Sequence, residues 1–195
     1  MKNITINKEK LLEAYRSANA TQKEILKQLY GKDIFPVDWR EITSYEKACE
    51  VLAIQPIEFK EVGDRQQYMR MANAMQQLLV ICEAINGDDK WHDKYGLGYY
   101  PAFVLYSNQE IGDLSEVECK RKGIHKLLNT GSTSNAIAAG IRYVGTVSRG
   151  AGTIAYFGFP LCLNSEEKAE FVGKQFFELC CTCYGVTPKI YDLNE

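Results

Sequence analysis

The sequence predicts an α+β fold, with N-terminal helices followed by a small, mainly antiparallel sheet closed by a C-terminal helix. Three observations predict it. Apolar residues recur at helical spacing through the first half, most clearly Met71, Met75, Leu78, Cys82 and Ile85, at steps of four, three, four and three. From Tyr99 onward, short aromatic and β-branched runs replace that pattern. A final helical stripe, Ala169, Val172, Phe176, Leu179 and Cys183, then returns. At 195 residues the chain has the length of one domain. Residues 1–62 read as its helical portion, and 63–195 as a central helix plus sheet.

Each element has a local reason. Asn7 is placed to cap a first helix whose inner face carries Leu11, Leu12, Tyr15 and Ala18. Thr21-Gln22-Lys23-Glu24 reads as a capping box opening a second helix with Ile25, Leu26 and Leu29, stopped by Gly31. Thr43-Ser44-Tyr45-Glu46 is another start signal, before Ala48, Cys49, Val51 and Leu52. The central helix begins near Asp64 and ends at Asn86-Gly87. Its methionine stripe reads as core, since that spacing faces the interior.

Tyr99–Tyr106 predicts a strand, and Asp113 a helix holding Leu114, Val117, Ile124, Leu127 and Leu128. Runs at 136–148 and 153–163, joined by Arg149-Gly150-Ala151-Gly152, read as an antiparallel hairpin. In its first strand, alternation puts Ile137, Ala139, Ile141 and Tyr143 on one face. Ala138, Gly140, Arg142, Val144, Thr146 and Ser148 fall on the other. Asn164, with Glu167 three residues on, reads as the cap of the last helix, which Gly185 and Pro188 end.

Composition narrows the function. Hydrophobic residues at 46% and charged residues at 25% are globular values and exclude a disordered chain. Lys+Arg at 23 against Asp+Glu at 25 leaves a net charge of −2, which argues against coating nucleic acid or an anionic membrane. No apolar run reaches the ~20 residues that span a bilayer, and no signal-peptide pattern follows Met1. The expectation is a cytoplasmic protein with no nucleic-acid or membrane partner. Seven cysteines, an odd number, then read as buried thiols. Cys180 and Cys183 form a C-x-x-C, but only His92 and His125 are available to complete a zinc site, and neither is suitably spaced. No metal or cofactor is expected.

No G-x-S-x-G, H-E-x-x-H or Walker loop is present, so catalysis is not expected. His92-Asp93 and His125 are the groups on which a hydrolase would have to centre. Lys120-Arg121-Lys122 with Lys126 reads as a solvated helix face balancing Glu116 and Glu118. The polar segment 130–135 and the strands after it carry the features of an anion site. Thr133, Ser134 and Asn135 offer hydroxyls, an amide and free N–H groups. Arg142 has small neighbours in Ala138 and Gly140, while Arg149 follows Ser148 on the turn. Tyr100, Tyr143 and Tyr156 supply faces on which a base stacks. The expected ligand is small and anionic or nucleotide-like, held by a homo-oligomer.

Four segments also carry a resemblance. They are Ser44-Tyr45-Glu46-Lys47-Ala48-Cys49-Glu50-Val51-Leu52, Ile81-Cys82-Glu83-Ala84-Ile85-Asn86-Gly87, Tyr99-Tyr100-Pro101, and Leu161-Cys162-Leu163-Asn164-Ser165-Glu166 leading to Gly173-Lys174-Gln175-Phe176. In this order, over roughly 40–182, the chain resembles a family of short uncharacterised proteins of Bacteroides-type gut bacteria and their phages. Where related chains read SRLCFKS, this one reads Phe159-Pro160-Leu161-Cys162-Leu163-Asn164-Ser165, so a role for that Arg and Lys is not carried over. The resemblance implies a phage or prophage gene expressed inside a bacterial host. With the candidate pocket, it suggests sequestration of a nucleotide-derived host immune signal. The alternatives are a virion-associated or protein-interaction structural protein, and a hydrolase with an unrecognised site.

Overall fold

The computed structural model describes residues 6–31, 34–59, 67–87, 97–128, 138–150 and 161–190. The chain divides into two compact units, Met1–Asp38 and Trp39–Glu195. The first holds α1 (Lys8–Ser17) and α2 (Ala20–Tyr30). Asn7 caps α1 as expected, its Oδ1 accepting from the amides of Glu9 and Lys10 at 2.9 and 3.3 Å. The box of α2 is formed two residues earlier than expected, by Asn19 and Gln22, because an Asn amide oxygen accepts at a helix start as well as a Thr hydroxyl. Tyr15 stacks on Phe35 at 4.4 Å and anchors this unit.

The second unit is α+β, as its sequence predicts. A single 3₁₀ turn, Trp39–Glu41, precedes α3 (Tyr45–Leu52), which Ser44 caps through the Lys47 amide at 3.1 Å. Next come α4 (Gln67–Asn86), β1 (Leu97–Ser107), the one-turn α5 (Asn108–Ile111) and α6 (Glu116–Lys122). They are succeeded by β2 (His125–Lys126), β3 (Ala138–Gly150), α7 (Glu166–Gln175) and α8 (Phe177–Cys183). The sheet is antiparallel, in the order β1-β3-β2. The main core joins Ile42, Ala48 and Cys49 to Leu78, Ile81 and Ile85 of α4 and to Leu163, Val172 and Cys180. Tyr99 and Phe103 pack against it from one face of the sheet. A smaller cluster, Ile111, Cys119, Ile124 and Ala139 with Tyr106 and Leu114, lies under α5 and α6. Tyr106 is an odd number of residues from Phe103, so this cluster backs the opposite face.

Four local expectations are corrected. First, the helix after Asp113 is shorter than expected. Ser115 caps it with Glu118, and Gly123 at φ +66 ends it before Ile124, so His125 and Lys126 become strand instead. Second, the 153–163 run does not pair with β3 at Leu163, its one described position with a strand partner. β3 pairs with β1 along its length, and Leu163 bridges Tyr99 on the other edge of β1. Residues 151–160, the rest of the expected hairpin, lie outside the described residues.

Third, the C-terminal helix is two helices. Phe176, at φ −111 and ψ 31, breaks it, so that both Val172 and Cys180 face the core across a shift in phase. Fourth, Ser165 rather than Asn164 caps α7. Asn164 instead meets Asn86, whose Oδ1 accepts from the Asn164 amide at 3.0 Å while its Nδ2 donates to the Cys162 carbonyl at 2.8 Å.

Two register shifts in the β1–β3 pairing change which faces the residues of β3 take. Ala102 opposes Gly145 but Phe103 opposes Tyr143, so Val144 is an extra residue, and Gly145 takes φ +133 beside it. A bulge reverses the alternation beyond it. Thr146 therefore lies on the face of Tyr143, where its hydroxyl donates to Glu166 of α7 at 3.0 Å. Thr146 and Ser148 do not share the Arg142 face that simple alternation assigns them.

Candidate functional site

The structure opens a groove beside β3, of about 1180 Å³. It begins where β2 stops, since β2 pairs only with Gly140 and Ile141. Arg142 and Tyr143, the next two residues of β3, line it from opposite faces of that uncovered strand edge. The last turn of α6 supplies Lys120, Arg121 and Lys122 as one wall, and the break between α7 and α8 supplies Lys174 and Phe177 as the other. Glu178 is the one carboxylate among the described lining residues, against five cations. Lys174 is paired with Glu170 at 2.6 Å. Lys120, Arg121, Lys122 and Arg142 make no salt bridge among the described residues.

Each wall has a local cause. Glu116 and Glu118 in the first turn of α6 and three cations in its last turn complement the helix dipole. Glu116 is also ion-paired with Lys189, which ties the segment after α8 to α6. His125 is buried beneath the groove, its ring 4.7 Å from that of Phe177 and its Nδ1 placed to donate to the Lys189 carbonyl at 3.1 Å. That partnered histidine, tilted against Phe177, is part of the wall. Gly173 lets α7 approach β3, since a Cβ there would stand 2.5 Å from Tyr143 Cε2 and 2.7 Å from Pro101 Cβ.

The structure brings together Arg142 and Tyr143 and separates the other expected residues. Arg149 opposes Gly98 while Arg142 opposes Val104, six positions apart along β1 or about 20 Å. Ser148 pairs with Tyr99 on the opposite face from Arg142. Tyr100 is half-buried, hydrogen-bonds Cys162 and faces a different hollow. Thr133, Ser134, Asn135 and Tyr156 lie outside the described residues, as do His92 and Asp93.

Only part of Tyr143 is offered to the groove. Its hydroxyl is buried with no hydrogen-bond partner among the described residues, and burial, aided by Glu170 and Glu166, pushes its pKa up to about 12. Gly140 is small for packing rather than to admit a guest, since a Cβ there would meet Ile111 Cδ1 at 2.9 Å and Ile124 Cγ2 at 3.0 Å.

Lys174 and Phe177 are groove residues that sequence reasoning does not single out. They sit on a helix whose periodic pattern marks only its buried stripe, and nothing in that pattern shows the break at Phe176. The Lys120-Arg121-Lys122 run is visible in the sequence, but only the fold reveals that it faces Arg142.

Among the described residues no group of three or more His, Cys, Asp or Glu is placed to hold a metal. None of the described helices is long and apolar enough to cross a membrane. Compared with protein-family models, with curated proteins and with solved structures, the chain matches none.

Proposed function

We propose that the protein binds, without turning over, a small anionic ligand of nucleotide type in the groove between α6, β3 and the α7–α8 break. The carrying observation is that Lys120, Arg121, Lys122 and Arg142 line one concavity and make no salt bridge among the described residues, Glu116 and Glu118 acting on the first three only through space, in a chain of net charge −2. Like charges gathered in a concave site repel one another and are relieved by an anion. Arg142 offers a planar fork for phosphate oxygens, and the rings of Tyr143 and Phe177 offer faces for a base. The resemblance to phage and gut-bacterial proteins supports a cytoplasmic setting, in which such a protein withholds a nucleotide signal from its host.

The test mixes the purified chain with a panel of mono-, di- and cyclic dinucleotides, follows the thermal midpoint, then heat-denatures the complex and assays the supernatant. A saturable rise with one nucleotide, lost in Arg142→Ala and in Arg121→Ala, with the nucleotide recovered intact, is the expected result. Binding should also weaken as salt rises, because the cations are exposed and screened. A cleaved nucleotide would instead establish the hydrolase. No midpoint change with any of the panel removes the assignment.

A further inference from the structure

A second hollow, of about 590 Å³, lies between α4, β1 and α8 and shares no lining residue with the groove. We propose that it binds a single-chain lipophile, an unbranched alkyl or acyl chain of about twelve carbons.

Its described walls are uncharged. No Asp, Glu, Lys, Arg or His is among the described residues that line it. Its polar atoms are thiols and two phenols, and they too are neutral at physiological pH. Burial pushes Cys82 up to about 12 and Cys183 up to about 11, and the Tyr100 hydroxyl, raised likewise, is already engaged with Cys162. An ion would lose its hydration there and gain nothing in return. The nucleotide-type ligand of the groove is therefore excluded from this hollow.

The shape favours a chain over a flat ring. Met71, Met75, Leu78 and Cys82 follow one face of α4 and all line the hollow. Eleven residues of helix rise span about 16 Å. A zigzag of ~1.5 Å carbon–carbon bonds advances about 1.25 Å per atom, so about twelve carbons cover that length. Two of the four wall residues are methionines, whose unbranched side chains fit a sliding hydrocarbon better than a rigid outline does. Ala72 and Tyr184, both exposed, mark the rim. A hollow of this size falls in the range of small-molecule pockets, about 300–1,000 Å³. The methionine stripe, whose spacing reads as core, is fully buried at Leu78 and Cys82, which close the inner end of the hollow, and half-buried at Met71 and Met75 nearer its mouth.

The probe is dodecan-1-ol, titrated against the full chain. The thermal midpoint of the wild type should rise and saturate near one alcohol per chain. Ala72→Trp, placed at the exposed rim, and Met75→Trp, placed inside, should each reduce that rise at least fivefold while keeping the far-UV spectrum. Site-resolved labelling of half-buried Cys183 by N-ethylmaleimide should slow at least fivefold when the wild type is saturated, a readout that does not depend on stability. The nucleotide response of the groove should be the same in all three proteins, which separates this site from that one. No saturable response, an equal response in both Trp variants, or unprotected Cys183 overturns the proposal.

Discussion

Tyr143 and Gly173 show how much of this fold is decided by single atoms. The ring of Tyr143 is pressed by α7 at Gly173, and its hydroxyl is buried without a hydrogen-bond partner among the described residues. A buried hydroxyl left unpaired costs about 1–3 kcal/mol. Tyr143→Phe should therefore raise stability by about 1 kcal/mol, seen as a higher urea midpoint with an unchanged slope. A drop would show that the hydroxyl has a partner in solution. Gly173→Ala should do the opposite. Alanine gains up to about 1 kcal/mol in a helix, but overpacking against the Tyr143 ring and Pro101 costs about 1–3 kcal/mol. A net loss of roughly 1–2 kcal/mol is expected in the same urea assay. Neither result is legible in the sequence. There Tyr143 is one more aromatic in a strand, and Gly173 is a mild blemish in a helix.

At the scale of elements, apolar stripes and the approximate starts of helices are legible, exact caps only in part, and pairings not at all. Asn7 caps where the sequence places it, and the cap Ser44 lies inside the expected Thr43–Glu46 start signal, because a cap is a contact between residues two or three apart. The pairing of β3 with β1 joins residues about 40 positions apart, and no local pattern encodes it. The bulge at Val144 was equally hidden, since its only local trace is Gly145, a residue that turns also favour. The candidate site suffered most from this. Its expected members come from a loop, a turn and several strands, whose convergence no local pattern encodes, and of the two that alternation puts on one face, Arg142 and Ser148, the bulge moves Ser148 to the other.

Asn86 is the contact that ties the end of α4 to the residues before α7, through Asn164 and the Cys162 carbonyl. Asn86→Ala should cost about 2 kcal/mol, because it leaves an amide and a carbonyl half-buried and unpaired. Urea unfolding of the variant checks this, and a change below about 0.5 kcal/mol would show that water replaces both bonds.

For the molecule as a whole, the cysteines set an alkaline limit. Cys82 is pushed from near 9 up to about 12 and Cys180 is raised further, in each case chiefly by burial. The unfolded chain releases these protons first, so it binds fewer of them than the folded chain above pH ~9. Stability is thus full below pH ~9 and falls as pH climbs toward the folded-state values, by up to ~1.4 kcal/mol per pH unit for each such thiol. Urea midpoints at about pH 7.5, 9 and 10 should fall across the last step in the wild type, and less steeply in Cys82→Ala. A flat profile would place the thiols in water.

Phe103 gives the second unit one more property. Its ring lies 5.8 and 5.9 Å from those of Tyr143 and Phe177 on the groove side, and 5.9 Å from that of Tyr184 on the other. One phenyl group is therefore a party wall between two chambers of opposite polarity. Truncating that one ring should therefore slacken both linings at once.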